Sequence, residues 1–198
     1  MEIKLFNKWS AENIKVDDPG LDNYISFKPS YVPRTGSRYA GNRFYKSKIN
    51  IVERLLNKLM VPGHRGKKHF KTSYHATGKA ENAYKIIREV FSKIERETKK
   101  NPIYVFVKAL ENGAPREEII TIEYGGARYP KAVDIAPQRR VDLVLRLMVQ
   151  SSYQKSFNSK KSIVDALAQE IMDAYSFKQS SAIISKKKEM ERQADSAR

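Results

Sequence analysis

Apolar positions recur at helical spacing through most of this chain and switch once to a strand-like pattern. Ile49, Val52, Leu55, Leu56 and Leu59 predict a helix that Pro62-Gly63 closes. Ala80, Ala83, Tyr84, Ile87, Phe91 and Ile94 line one face of a predicted helix from Lys79 to Lys100, punctuated by Asn101-Pro102. A shorter helix is expected from Ile103 to Glu111, stopping at Asn112-Gly113-Ala114-Pro115. Between Glu117 and Ile135 the chain is rich in β-branched residues, and Gly125-Gly126 interrupts it as a two-residue hairpin turn would. Pro137 suits the first residue of a helix, and the stretch Val141 to Val149, apolar on nearly all sides, implies an enclosed central one. Ile163, Leu167, Ile171 and Tyr175 mark a further helix, and the chain from Ser180 is helical in propensity but charged.

These elements make a mainly α fold: a bundle of about six helices with one protruding β-hairpin at about 117–135 and a single core in residues 49 to 177. Residues 1–45 are expected to be a basic, partly irregular N-terminal extension, and residues 46–198 the helical domain. In the extension Leu5, Trp9 and Ile14 form a short apolar stripe, and Asp18-Pro19-Gly20 is expected to break any helix there. Trp9, the single tryptophan, suits an anchor on the main body better than a base-stacking platform, and both stay open at this point. There is no internal repeat.

Charge adds what the pattern cannot. The 198 residues carry 38 basic and 22 acidic side chains, a formal +16. From Lys28 to Lys71 there are twelve Lys or Arg residues and one acid, Glu53, threaded with tyrosines, glycines and prolines. Such a segment resists collapse on itself, so the stretch is expected to order only on a polyanion. Its cations Arg34, Arg38, Arg43, Lys46, Lys48, Arg65, Lys67, Lys68 and Lys71 are candidate phosphate contacts, and the neighbouring rings suit unstacked bases. Arg139-Arg140 opens a helix, an unfavourable end for cations, so either an anion lies close or Asp134 or Asp142 pairs with them. The hairpin carries Tyr124, Gly125, Gly126, Arg128, Tyr129 and Lys131 near its tip. A two-stranded ribbon gains little by folding alone, so it reads as an arm reaching a partner. The bland alternative is that its Ile119, Ile120 and Ile122 side packs down on the helices.

Other chemistry finds little support. The chain has no cysteine, which removes disulfides and thiolate metal sites. His64, His69 and His75 match no metal-ligand spacing, and no acid lies between Glu53 and Glu81 to complete a site. Gly63 to Lys68 lacks the spacing of a phosphate-binding loop and the Ser or Thr after its lysine. Glu117 and Glu118 would point to opposite strand faces. No apolar run approaches the roughly 20 residues of a membrane span, and Met1 to Ser10 lacks a signal-peptide stretch. The expectation is a soluble intracellular protein with no enzymatic activity, no cofactor, no metal and no membrane partner.

Several ordered pieces resemble one known family. They are Leu59-Met60 before the basic turn, Ala109-Leu110-Glu111-Asn112, Glu123-Tyr124-Gly125-Gly126-Ala127-Arg128-Tyr129, and Arg139-Arg140 with Leu143 and Arg146. Ala166-Leu167-Ala168-Gln169-Glu170 follows, then Lys186 to Arg192 and Ser196-Ala197-Arg198. In order and spacing they resemble the universal small-subunit ribosomal protein seven family in its archaeal form, over about three quarters of the chain from near Phe44 onward. The resemblance implies a cytoplasmic protein of the small subunit that binds the 3′ major domain of small-subunit (16S-type) rRNA and nucleates assembly of the subunit head. It also implies a place along the mRNA exit path beside the E-site tRNA, with head and platform proteins as neighbours. The rRNA-facing residues would be Lys46, Lys48, Arg65, Lys67 and Lys68, with Arg139 and Arg140 on the same side, and the hairpin tip would lie by tRNA and mRNA. Pro130 and Leu147 depart from the bacterial pattern, and Pro130 leaves the outer register of the hairpin open. Two alternatives stand beside this reading: a basic helical nucleic-acid binder outside the ribosome, such as a DNA-compacting protein, and an RNA-processing enzyme using the histidines.

Overall fold

Six helices of nine residues or more, a single-turn helix and one β-ribbon are built by residues 3–12, 14–30, 34, 36–37, 39–63 and 76–198, which the computed structural model describes. The helices are α1 (Pro19–Asp22), α2 (Ile51–Leu59), α3 (Ala80–Thr98), α4 (Pro102–Gly113), α5 (Pro137–Ser156), α6 (Ile163–Tyr175) and α7 (Ala182–Asp195). The strands are β1 (Glu117–Tyr124) and β2 (Ala127–Asp134). This is the mainly α fold with a hairpin that the apolar spacing predicts.

Local chemistry sets the boundaries. Asn50, Asn101, Ser162 and Ser181 each accept a hydrogen bond from a backbone N–H in the first turn of α2, α4, α6 and α7. Pro102 and Pro137 stand at the first position of α4 and α5, where no N–H is needed. Asp18-Pro19-Gly20 does not simply break a helix: the Asp18 carboxylate accepts from the Gly20 N–H, Pro19 takes the first position, and one turn of α1 follows. In the ribbon Gly125 and Gly126 have φ of 59° and 82°, the left-handed pair that a two-residue turn requires. Tyr124 faces Ala127 and Thr121 faces Pro130, so the proline sits in the ladder without shifting the register.

The central α5 buries Val141, Leu143, Val144, Leu145, Met148 and Val149, and it packs on α2, α4, α6 and α7. The core is wider than residues 49 to 177. It takes in Ile183 and Ile184 of α7 at one end of the chain and Trp9, Leu21 and Ile25 at the other. Gly113 lets α7 approach α4, because a Cβ there would collide with Ile183 and meet Val144 at 3.3 Å.

The N-terminal extension is stitched to the body. Phe6 and Asn7 adopt left-handed φ, and the resulting turn pairs Leu5 with Trp9. Trp9 is buried edge-on against Phe91, 5.9 Å between ring centres, so it anchors the extension instead of stacking on a base. Asn101 donates to the Ser10 carbonyl, Lys108 and Glu111 hold Asp17, and Arg54 donates to the Tyr24 carbonyl. The Lys28–Lys71 stretch is therefore not uniformly awaiting a partner: α2 forms inside it and buries Arg54, which donates to Asp142 at 3.0 Å.

Candidate nucleic-acid interface

An open groove of about 620 Å³ runs between the Tyr39–Val61 stretch and the first half of α5. Lys58 of α2 enters it from one wall, and Arg139 and Arg146 enter from α5. Residues seven apart on a helix share a face, which brings both arginines to the same side. Lys46, in a tight turn ahead of α2, lines it as well. The one acid in the lining is Asp142, which already accepts from Lys46 at 2.9 Å and Arg54 at 3.0 Å. Lys58 and Arg146 have no ion-pair partner among the described residues.

The groove is electrostatically frustrated. Burial pushes the Lys58 ammonium below its ordinary pKa, and repulsion from Arg146 and Lys46 adds to that against a partial offset from Asp142. Like charges held together in a partly dehydrated recess are relieved by an anion placed between them. On the rim, Phe44 is 53% exposed in a left-handed conformation, and Arg43 lies 5.4 Å from its ring centre. Lys48 stands 4.7 Å over the Tyr45 ring. Rings braced by cations beside a cationic groove can bind a phosphate chain and an unstacked base together.

The predicted contacts distribute unevenly over this surface. Lys46 and Arg139 line the groove, Arg43 lies over the ring of Phe44 that lines it, and Lys48 stands over Tyr45 in an adjoining recess. Arg34 is exposed in a smaller recess of about 360 Å³ that shares Tyr39 and Ile49 with the groove and is lined also by Lys28 and Lys48. Arg38, Arg65, Lys67, Lys68 and Lys71 lie outside the described residues, as do His64, His69 and His75. The two arginines at the start of α5 diverge. Arg139 donates both ways to Glu118, at 2.8 and 2.9 Å, and stays half exposed. Arg140 turns inward with its side chain 9% exposed, donating to the Pro115 carbonyl at 3.0 Å and to Asp18 at 2.8 Å. Neither uses Asp134 or Asp142, the acids that proximity in sequence suggests. Lys58 and Arg146 are the groove residues that sequence reasoning missed as contacts. For Arg146 the available signal was its helical-face spacing, i to i+7 from Arg139, which marks a site only once the facing helix is known; Lys58 carried no signal beyond its charge.

The ribbon is the second exposed basic and aromatic feature. Ile120, Ile122, Tyr124, Tyr129 and Lys131 share one face, and Ile119, Thr121, Glu123, Arg128 and Pro130 share the other. The three isoleucines therefore do not pack down together: Ile119 is half-buried near the base, while Ile120 and Ile122 are exposed. Tyr124 and Tyr129, 82% and 58% exposed, stand near the glycine turn. At the base, Glu117 pairs with Arg198 and the Arg116 N–H donates to Glu191 of α7. Among the described residues no three His, Cys, Asp or Glu side chains cluster so as to hold a metal ion.

A family model described as "Ribosomal protein S7p/S5e" matches residues 21–198. The small ribosomal subunit protein uS7 of Nanoarchaeum equitans is 55% identical over 198 residues, covering all of both chains. The same protein of Methanothermobacter thermautotrophicus is 46% identical over 98% of each chain. That of Archaeoglobus fulgidus is 43% identical over all of this chain and 96% of its own.

Proposed function

This chain belongs to the ribosomal protein S7p/S5e family, and from that premise we propose that it binds small-subunit (16S-type) rRNA directly through the groove between α2 and α5. It is a structural, non-enzymatic constituent of the small ribosomal subunit, and so of the cytoplasmic ribosome. Among the described residues no helix is long and apolar enough to cross a membrane. In this reading the protein engages the 3′ major domain of the rRNA, nucleates assembly of the subunit head, and contacts neighbouring head and platform proteins. The ribbon reaches the mRNA exit region beside the E-site tRNA, using Tyr124, Tyr129, Arg128 and Lys131 around the Gly125-Gly126 turn.

The observation that carries the proposal is the pair Lys58 and Arg146, facing each other without a carboxylate between them to spare. A phosphate chain laid in the groove supplies the missing negative charge. Arg140 is excluded from the contact set because its guanidinium is engaged inside the fold. Replacing Lys58→Gln and Arg146→Gln together should weaken binding of an rRNA fragment. It should also flatten the slope of log K against log salt by about 1.4 to 1.8, the equivalent of two released counterions. An unchanged slope would mean that the groove touches no phosphate.

A further inference from the structure

A third cationic and aromatic surface, apart from the groove and the ribbon, lies where the start of α4 meets the turn between α6 and α7. It shares no element with the groove except the common core beneath both. Tyr175, the last residue of α6, places its ring 6.4 Å from Tyr104 of α4, edge-on at 70°. Lys100, just ahead of α4, donates to the Tyr175 hydroxyl at 2.8 Å. Two residues on, Phe177 is held in the left-handed region at φ 54° and remains 46% exposed. A bulky side chain there is an outlier that glycine or asparagine would fill without strain. The ammonium groups of Lys187 and Lys188 stand 5.8 and 5.4 Å from the Phe177 ring centre.

The charges around this patch are one-sided. Lys187 is tied to the Asn112 carbonyl at 2.9 Å, and Lys178 stands 3.7 Å from Asp173. Glu191 accepts from the Arg116 N–H. Lys188 has no carboxylate partner among the described residues, and Lys100 has only the phenol. An exposed ring in a strained turn, with Lys188 beside it lacking an acid, does nothing for the core. An acidic peptide would satisfy the lysines and leave the ring without a partner. A nucleic-acid strand satisfies both, because phosphates meet the ammonium groups while a base face meets the ring.

We propose that this surface is a second RNA contact, taking an unpaired segment with one base against Phe177 and phosphates against Lys100 and Lys188. The inference rests on the reading that the chain binds rRNA, but it concerns residues that the groove does not use. Because the chain has no cysteine, single thiols can carry a photo-crosslinker in subunits reconstituted with the full chain. Gln179→Cys places one on an exposed position beside Phe177, and Asn57→Cys places one in the groove. RNA adducts at both positions are expected. RNA at position 57 with protein or no adduct at 179 overturns the second contact and leaves the groove reading intact. Absence at 57 with RNA at 179 does the reverse.

Affinity for a small-subunit rRNA fragment supplies the second measurement. Phe177→Gly, which removes the ring and suits the left-handed backbone, should weaken binding by roughly fivefold or more, the low end for one lost stacked base. Lys100→Gln with Lys188→Gln should reduce the salt slope by about 1.4. Unaltered affinity and slope in correctly folded variants would overturn the proposal.

Discussion

Glu170 shows how much one side chain organises here. Its carboxylate is fully buried and accepts from Lys155 at 2.6 Å, the Ser181 hydroxyl at 2.8 Å and the Ile183 N–H at 3.2 Å. It thereby joins α5 and α6 to the N-terminus of α7. Glu170→Ala leaves the buried Ser181 hydroxyl and Ile183 N–H without their acceptor, while Lys155 stays partly solvated, and should cost about 2–4 kcal/mol. Glu170→Gln keeps the shape and part of the bonding, and should cost less than half as much. Urea denaturation of the two variants checks the order. Asp18 gives a pH signature. Burial alone would raise its pKa, but hydrogen bonds from Arg140 and the Gly20 N–H, with the charges of Arg140 and Arg116, hold it below the ordinary carboxylate value. A carboxylate depressed on folding contributes stability above its unfolded pKa, about 3.9, and loses that contribution as pH falls through the folded value. The stability difference between the natural chain and Asp18→Asn should therefore be constant from about pH 5 to 7 and shrink below about pH 4. A difference that persists undiminished to pH 2 would show that the carboxylate is not coupled to folding.

Among the elements, legibility followed amphipathicity. The apolar stripes of α2, α3 and α6 were readable because each is flanked by polar positions, and the ends of α2, α3 and α4 because Pro, Gly or Asn punctuates them. The contribution of α7 was not, since three buried residues, Ile183, Ile184 and Ala194, are diluted among its charges. In α1 the Asp-Pro-Gly triplet that reads as a helix breaker starts a one-turn helix, which is fixed by the burial of Leu21. Within the candidate site, the rim residues were legible as charges beside rings. Lys58 and Arg146 were not, because each lies on a helix whose facing partner is about ninety residues away in sequence. The inward turn of Arg140 was hidden for the same reason, since its acceptors come from Asp18 and Pro115. Two element-level outcomes follow. Gly113→Ala forces Ile183 aside where α4 meets α7 and should lower stability by about 1–3 kcal/mol, read from thermal melts. Excising Tyr124 to Tyr129 and closing the ribbon with a new glycine turn should leave the melting temperature within a few degrees, since everything beyond Ile119 on β1 is exposed. That variant should retain rRNA affinity better than contacts to tRNA or mRNA in assembled subunits. Loss of rRNA binding first would make the ribbon a primary anchor.

At the scale of the molecule, a net charge of +16 coexists with a well-sealed interior because the cations are sorted. Arg54 and Arg140 turn to internal acceptors and Lys108 is shared by Asp17 and Glu111, while among the described residues Lys58 and Arg146 in the groove and Lys188 beside Phe177 have no acidic partner. Removing residues 1–28 should strip the cover from Phe91 and Arg54, lower the cooperativity of unfolding, and expose surface that binds a hydrophobic dye. Retention of a sharp native-like transition would mean that the extension is ornamental. The clasp between Asp18 and Arg140 also sets a timetable. Its two ends are 122 residues apart, and a nascent chain lengthening at about 5–20 residues per second needs roughly 6 to 24 s to produce the second after the first. Until then the leading segment can dock only on α2, α3 and α4, through Arg54, Phe91, Asn101, Lys108 and Glu111, so closure of the clasp reports that translation of the central helix has begun.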